Sequence, residues 1–140
     1  RGRFPLELSG GMAQRVSLVR ALMINPRVIL MDEPLGSLDA ITARKLRYDL
    51  LRLWEETRPT VLYVTHNISE AVFLSDRILL LHPRPASIYR EVPIRIPRPR
   101  KPLDPELLAL EQTVTEDFFR NVIDKELGNE TDIAQARSND

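Results

Sequence analysis

Apolar residues along the chain fall into two rhythms: short unbroken runs, and stretches where they recur every three or four positions. From Ser9 to Ile24, Val16, Val19, Leu22 and Met23 keep helical spacing. Asn25-Pro26 ends that helix, because the residue before a proline avoids helical geometry. Val28 to Met31 is an unbroken run rich in branched residues, which predicts a strand buried on both faces. The stretch "LGSLDA" predicts a turn. Asp39 to Thr57 then predicts a long amphipathic helix with Ile41, Leu46, Leu50, Leu53 and Trp54 on one side. Thr60 to Thr65 predicts a second buried strand, Asn67 to Leu74 a short helix, and Arg77 to Leu81 a third strand.

Strand, helix, strand, helix, strand is the rhythm of a parallel α/β sheet. The composition then changes. Ala86 to Ile96 predicts a β-ribbon at a sheet edge, because Pro93 interrupts it. Pro97 to Pro102, "PRPRKP", is a basic, proline-rich connector. Asp104 to Leu127 carries a helical stripe of Leu107, Leu110, Val114, Phe118 and Val122, and the polar residues 128–140 predict disorder. No internal repeat is present.

The 140 residues suffice for one domain or part of one. The 20 basic and 20 acidic residues balance, which argues against nucleic-acid binding driven by bulk charge. The absence of cysteine excludes disulfides and thiolate metal sites from these residues. No apolar run approaches the roughly 18 residues of a membrane span. The charges are segregated. Arg84, Arg90, Arg95, Arg98, Arg100 and Lys101 make the ribbon and connector basic, and the terminal helix is mostly acidic. The plain expectation is solvated surface; the sharper one is a contact with lipid headgroups or a regulator.

Candidate chemistry begins at "ELSGGMAQR", Glu7 to Arg15. A Gly-Gly pair weakens a helix start. An anion is one reason to keep it: Ser9 can cap the helix, and Gly10 and Gly11 let a phosphate reach exposed backbone N–H groups. In "VILMDEP", an apolar strand delivers Asp32 and Glu33 at its carboxyl end, where ligands of open α/β sheets bind. Asp32 is placed to hold Mg2+ through water, and Glu33 to polarise an attacking water. Two exposed acids opening a loop is the plainer alternative.

His66 ends the second strand and can contact a γ-phosphate or the attacking water; as a lone histidine it reads first as a cap of the next helix. Asp39 follows the carboxylate pair and reads as an N-cap, with a role at the site compatible with it. His82, followed by Pro83, reads as structural.

In the order "LSGGMAQR", "VILMDEP", "GSLD", "VLYVTH", the sequence strongly resembles the ATP-binding-cassette (ABC) ATPases from about Phe4 to about Pro102. Matched residue by residue, Ser9, Gly10 and Gly11 correspond to the family's signature motif. Asp32 corresponds to its Walker B aspartate, Glu33 to its catalytic glutamate, Ser37, Leu38 and Asp39 to its D-loop, and His66 to its switch histidine. Met12, where many members carry Gln, departs from the pattern and also occurs in importer members. The stretch "RPASIYREVPIRIPRPR" is similar to the nitrate/sulfonate/taurine importer branch.

The resemblance implies an α/β fold, the C-terminal portion of a P-loop NTPase domain with a parallel sheet and flanking helices, then a β-ribbon and a C-terminal helix. It divides the chain into cassette residues 1–102, an amphipathic helix 103–127 and a tail 128–140. It implies an ATP-hydrolysing importer subunit using ATP and Mg2+. The implied partners are a second ATPase domain bound head to tail, transmembrane permease subunits and, indirectly, an extracytoplasmic substrate-binding protein, with no nucleic acid. The implied location is the cytoplasmic face of the cell (inner) membrane. In such a pair Ser9, Gly10 and Gly11 serve the partner's nucleotide, while Asp32, Glu33 and His66 serve their own.

The phosphate-binding loop Gly-x-x-x-x-Gly-Lys-Ser/Thr does not occur in these residues: the lysines are Lys45, Lys101 and Lys125, and none follows a glycine. The expectation is that the chain alone does not hold ATP and is the C-terminal part of a longer protein. A remnant of a decayed gene and one half of a split ATPase are the alternatives. As functions, a non-transport cassette ATPase and a non-catalytic interaction fragment compete with the transporter reading. The first usually carries zinc or coiled-coil insertions, and this chain has neither cysteine nor a long heptad run.

Overall fold

The computed structural model describes residues 16, 17, 20, 26–82 and 85–123. Val16, Ser17 and Arg20 are helical, as the first periodic stretch predicts; the remainder of that stretch, the Ser9-Gly10-Gly11 motif, Arg84 and residues 128–140 lie outside the described residues. Two compact units are present, Arg1–Glu70 and Ala71–Asp140.

In the first unit, β1 (Val28–Asp32) and β2 (Thr60–Val64) pair in parallel, with Ile29 opposite Val61 and Met31 opposite Tyr63. The crossover between them is α1, Ala40–Thr57. Asp39 starts it: extended at φ −64° and ψ 156°, its carboxylate accepts the Ile41 and Thr42 N–H groups that the first turn leaves unpaired. Arg58 stops it in the left-handed region at φ 46°, donating its N–H to the Trp54 carbonyl and laying its guanidinium over the Trp54 ring. Helical periodicity then places Ala43, Leu46 and Leu50 on one face. That face packs with Leu35, Met31, Leu38 and Tyr63 into a single core.

One expectation fails here. The strands are not buried on both faces: Val28, Leu30, Leu62 and Val64 are 58, 74, 54 and 50 % exposed. Alternate side chains of a strand point to opposite faces, and the α1 cluster packs against Met31 and Tyr63, on the face opposite these four residues.

The division between the units falls within α2, Ile68–Leu74. In the second unit, β3 (Arg77–His82) pairs antiparallel with β4 (Ser87–Pro93), with a register shift between Leu80 and Leu81. The neighbour of β3 within this unit is thus an antiparallel strand. A parallel crossover needs about a dozen residues or more, whereas a hairpin closes over a few, and β4 follows β3 after four residues. The ribbon expected over Ala86 to Ile96 supplies only the second strand of this hairpin, and Pro93 closes that strand opposite Arg77. Ile78, Leu80 and Val92 fill the inner face.

The last helix, α3 (Pro105–Phe118), starts as its sequence predicts, with Asp104 accepting the Glu106 N–H and Pro105 in the first turn. It passes into a π-helical turn over Phe119–Ile123. Asp117 ties α3 to β4 by accepting from the Tyr89 hydroxyl and pairing with Arg90 at 2.9 Å. Burial and the Asp117 charge push the Tyr89 hydroxyl's pKa up. His82 meets Tyr89 edge to face, consistent with a structural role.

The basic connector is not simply solvated surface. Arg100 is buried; it donates from Nη1 to the carbonyls of Val72, Phe73 and Ser75 and from Nε to that of Ile96. Arg98 donates to the Leu74 carbonyl and to Asp76. The last carbonyls of a helix have no intrahelical partner, and these two guanidinium groups satisfy those of α2.

Candidate functional site

The carboxyl ends of β1 and β2 adjoin because the strands run in parallel and register Asp32 with Val64. Each chain segment therefore leaves the sheet at the same place. Past β1, Glu33 adopts φ 43°, an uncommon conformation for a non-glycine residue. Its N–H still donates to the Val64 carbonyl, at 2.9 Å, so the bend begins while the backbone is tied to β2. The Glu33 carbonyl then accepts the Gly36 N–H, closing the turn that leads to Asp39. Strained backbone of this kind persists where its surroundings over-determine it.

The bend carries the Glu33 carboxylate to the end of β2. Its Oε1 accepts the His66 backbone N–H at 2.8 Å and lies 2.8 Å from His66 Nδ1. Its Oε2 lies 3.5 Å from the Thr65 hydroxyl. The imidazole is 82 % exposed and the carboxylate 37 %, so the pair is open to solvent and to a ligand. When Nδ1 carries the proton toward Glu33, Nε2 remains for an outside partner. Glu33 and His66, each named from sequence alone, are thus in direct contact.

Asp32 ends β1 in register with Val64 and is exposed. No group of three or more potential ligands gathers into a metal cage among the described residues. A single exposed strand-end carboxylate is the kind of donor through which a largely hydrated Mg2+ would bind. Asp39 is an N-cap in this structure, with Oδ1 3.1 Å from the Ile41 nitrogen and 3.0 Å from the Thr42 nitrogen. The bonds from Thr42, foremost, hold its carboxyl below the usual aspartate range.

Behind the exposed pair lies a group of residues that the motif reading does not single out. Glu70, in the first turn of α2, is 5 % exposed. Its Oε2 accepts from the Tyr63 hydroxyl at 2.9 Å and from the Thr65 hydroxyl at 3.3 Å. Thr65 in turn accepts the Asn67 N–H, and Asn67 accepts the Glu70 N–H. Asn67-x-x-Glu70 is a recognisable helix-start spacing, so the sequence carried a signal for this cluster.

A family model described as ABC transporter matches residues 2–36. The nitrate import ATP-binding protein NrtD of Synechococcus elongatus is 46 % identical over 121 residues, covering 83 % of this chain and 44 % of that protein. The aliphatic sulfonates import ATP-binding protein SsuB of Bacillus cereus is 40 % identical over 84 % of this chain and 47 % of its own length. That of Bacillus subtilis is 42 % identical over 82 % of this chain and 45 % of its own length.

Among solved structures, an ATP-binding cassette in a dimeric post-hydrolysis state with ADP and Pi superposes at a TM-score of 0.53. It shares 39 % identity, over 66 % of this chain and 38 % of that one. The chain spans less than half the length of these proteins. With an α/β fold, these relatives and this cassette neighbour, the chain belongs to the ABC transporter family, within its ATP-binding cassette domain.

Proposed function

We propose that this chain forms the C-terminal part of the ATP-hydrolysing subunit of an ABC importer of the nitrate/sulfonate/taurine type. The observation that carries the reading is the Glu33–His66 contact, which puts a carboxylate and an imidazole together at the carboxyl ends of two parallel strands. Residues 1–102 belong to the cassette, 103–127 to an appended helix and 128–140 to a tail.

Glu33 acts as the general base. Its Oε1 is anchored by two donors of His66, which fixes the carboxylate plane and leaves Oε2 to accept a proton from water. His66 orients Glu33 through Nδ1 and presents Nε2 to the terminal phosphate. Asp32 would hold Mg2+ through water, and the bound ion would supply positive charge beside the nucleotide's phosphates. Asp39 shapes the turn that faces a second cassette. Ser9, Gly10 and Gly11 donate backbone N–H groups to the nucleotide of that second cassette, bound head to tail. The phosphate-binding loop is supplied from outside these 140 residues.

Permease subunits at the cytoplasmic membrane face complete the assembly, and an extracytoplasmic binding protein delivers the substrate. No helix among the described residues is long and apolar enough to cross a membrane, consistent with a peripheral subunit. Steady-state ATP hydrolysis by the complete protein, wild type against Glu33→Gln, tests the reading. Loss of turnover with retained ATP binding is expected. Turnover unchanged by Glu33→Gln would remove the base from the mechanism.

A further inference from the structure

Glu70 is a buried carboxylate that the proposed mechanism does not use. Burying a charge is costly unless hydrogen bonds or an opposite charge compensate. Here two hydroxyls point at one oxygen: Tyr63 at 2.9 Å and Thr65 at 3.3 Å from Glu70 Oε2. A helix start needs none of this. Asn67 already caps the Glu70 N–H, and the Glu70 side chain turns away from its own helix to the end of β2.

What it grips is Thr65. The Thr65 hydroxyl stands between two carboxylates, 3.3 Å from Glu70 Oε2 and 3.5 Å from Glu33 Oε2. The same oxygen accepts the Asn67 N–H at 3.0 Å, so its rotation is restrained from the other side. Thr65 and Asn67 flank His66, whose N–H and ring both meet Glu33. The loop that aims His66 is therefore pinned on both sides by groups bonded to Glu70.

We propose that Glu70 is a positioning residue for ATP hydrolysis, acting with Tyr63 through the Thr65 hydroxyl to hold Glu33 and His66 in register. Tyr63 fixes Glu70 by donating its proton. Glu70 draws the single Thr65 proton toward itself, leaving Glu33 Oε2 for the attacking water. This proposal rests on the reading of Glu33 as the base.

The test is steady-state ATP hydrolysis by the complete protein carrying Glu70→Gln, Thr65→Val, both together, and Thr65→Ser, with Glu33→Gln alongside. Glu70→Gln and Thr65→Val are each expected to lower kcat about tenfold or more, with the KM for ATP within about twofold, because misplacing reacting groups costs rate rather than binding. The double variant should lose no more than either single one, since both break one linkage. Thr65→Ser, which keeps the hydroxyl, should restore most of the turnover. If Glu70→Gln does not fold, Thr65→Val against Thr65→Ser decides alone.

Wild-type kcat in Thr65→Val, or losses that multiply in the double variant, overturns the proposal. If Glu33→Gln abolishes turnover while the Thr65 and Glu70 variants keep it, only the positioning role fails. If Glu33→Gln itself keeps turnover, the base assignment falls and this inference falls with it.

Discussion

The backbone nitrogen and the ring Nδ1 of His66 both lie 2.8 Å from one oxygen of Glu33. A residue from the end of β2 thus fixes, by main chain and side chain together, the carboxylate that leaves β1. Two donors on one oxygen define the carboxylate's plane better than either alone. Removing the ring leaves the main-chain bond, so His66→Ala should spare the fold. It should lower kcat of the complete protein by about 10²-fold, the scale of one acid–base group. Combined with Glu33→Gln it should add little, because the two act as a unit. Multiplicative losses, read from single-turnover hydrolysis, would mean that they serve separate steps.

The motif residues were legible because their chemistry sits at strand ends, and strand ends are readable from apolar runs. Asp32 and Glu33 follow such a run, His66 follows another, and parallel pairing brings them together. The left-handed turn at Glu33 was not legible: no glycine marks it, and φ 43° occurs beside long-range ties from its N–H to Val64 and from its carboxylate to His66. Nor was the partner of β3. Its apolar run suits a parallel or an antiparallel neighbour, and only the short link to β4 decides. Arg98 and Arg100 look like surface charges in a proline-rich stretch. Their role depends on the bare carbonyls of α2, more than twenty residues upstream.

The N-cap at Asp39 carries an acid dependence. Its carboxyl is held below the ordinary aspartate value by the α1 N–H groups, so the bonding is complete above that value and is lost as pH falls through the lowered one. Asp39→Asn keeps an acceptor without the titration. Urea midpoints of the complete protein across acid pH should therefore be flatter in Asp39→Asn than in wild type. Asp39→Ala should be less stable at every pH. Parallel acid profiles in wild type and Asp39→Asn would contradict the cap's contribution.

Tyr63 predicts the opposite limb. Burial, first, and the Glu70 charge push its hydroxyl far above the ordinary tyrosine value of about 10. A group raised in the folded state contributes stability that is complete below its unfolded pKa. That stability drains away as pH rises beyond it, because the unfolded chain then releases the proton first. Wild type should lose stability above about pH 10 more steeply than Tyr63→Phe. Near neutrality the variant should be weaker by about 1 kcal/mol for the lost bond to Glu70. Chemical denaturation at graded alkaline pH reads both effects, and an equally steep fall in Tyr63→Phe would refute the linkage.

Leu46 is 1 % exposed at the centre of the cluster that joins α1 to the inner face of the parallel pair. Leu46→Ala removes buried methyl groups where Leu35, Ala43 and Leu50 cannot all close in. A loss of about 2–5 kcal/mol is expected. The carboxylate–imidazole pair stands on the strands this core supports. The variant's ATP hydrolysis should thus fail at a lower temperature than wild type, with kcat preserved below it. A melting temperature unchanged by Leu46→Ala would show that this cluster is not the core of the folded unit.

Arg100 offers the strongest stability test in the second unit. Its Nη1 meets three carbonyls at the end of α2, at 2.7 to 3.0 Å, and its Nε meets that of Ile96 at 3.0 Å. Burial, and after it the Arg98 charge, pulls its pKa down, so keeping the cation there costs free energy that the carbonyls must offset. Arg100→Met fills much of the volume but takes the donors away from those carbonyls, which should cost about 3 kcal/mol. Arg100→Lys restores the charge without the fork, since an ammonium on a flexible stem cannot reach along two directions at fixed spacing. It should recover less than half of the loss. Full recovery by lysine in denaturant unfolding would mean that charge at the helix end, rather than the guanidinium's geometry, holds this turn.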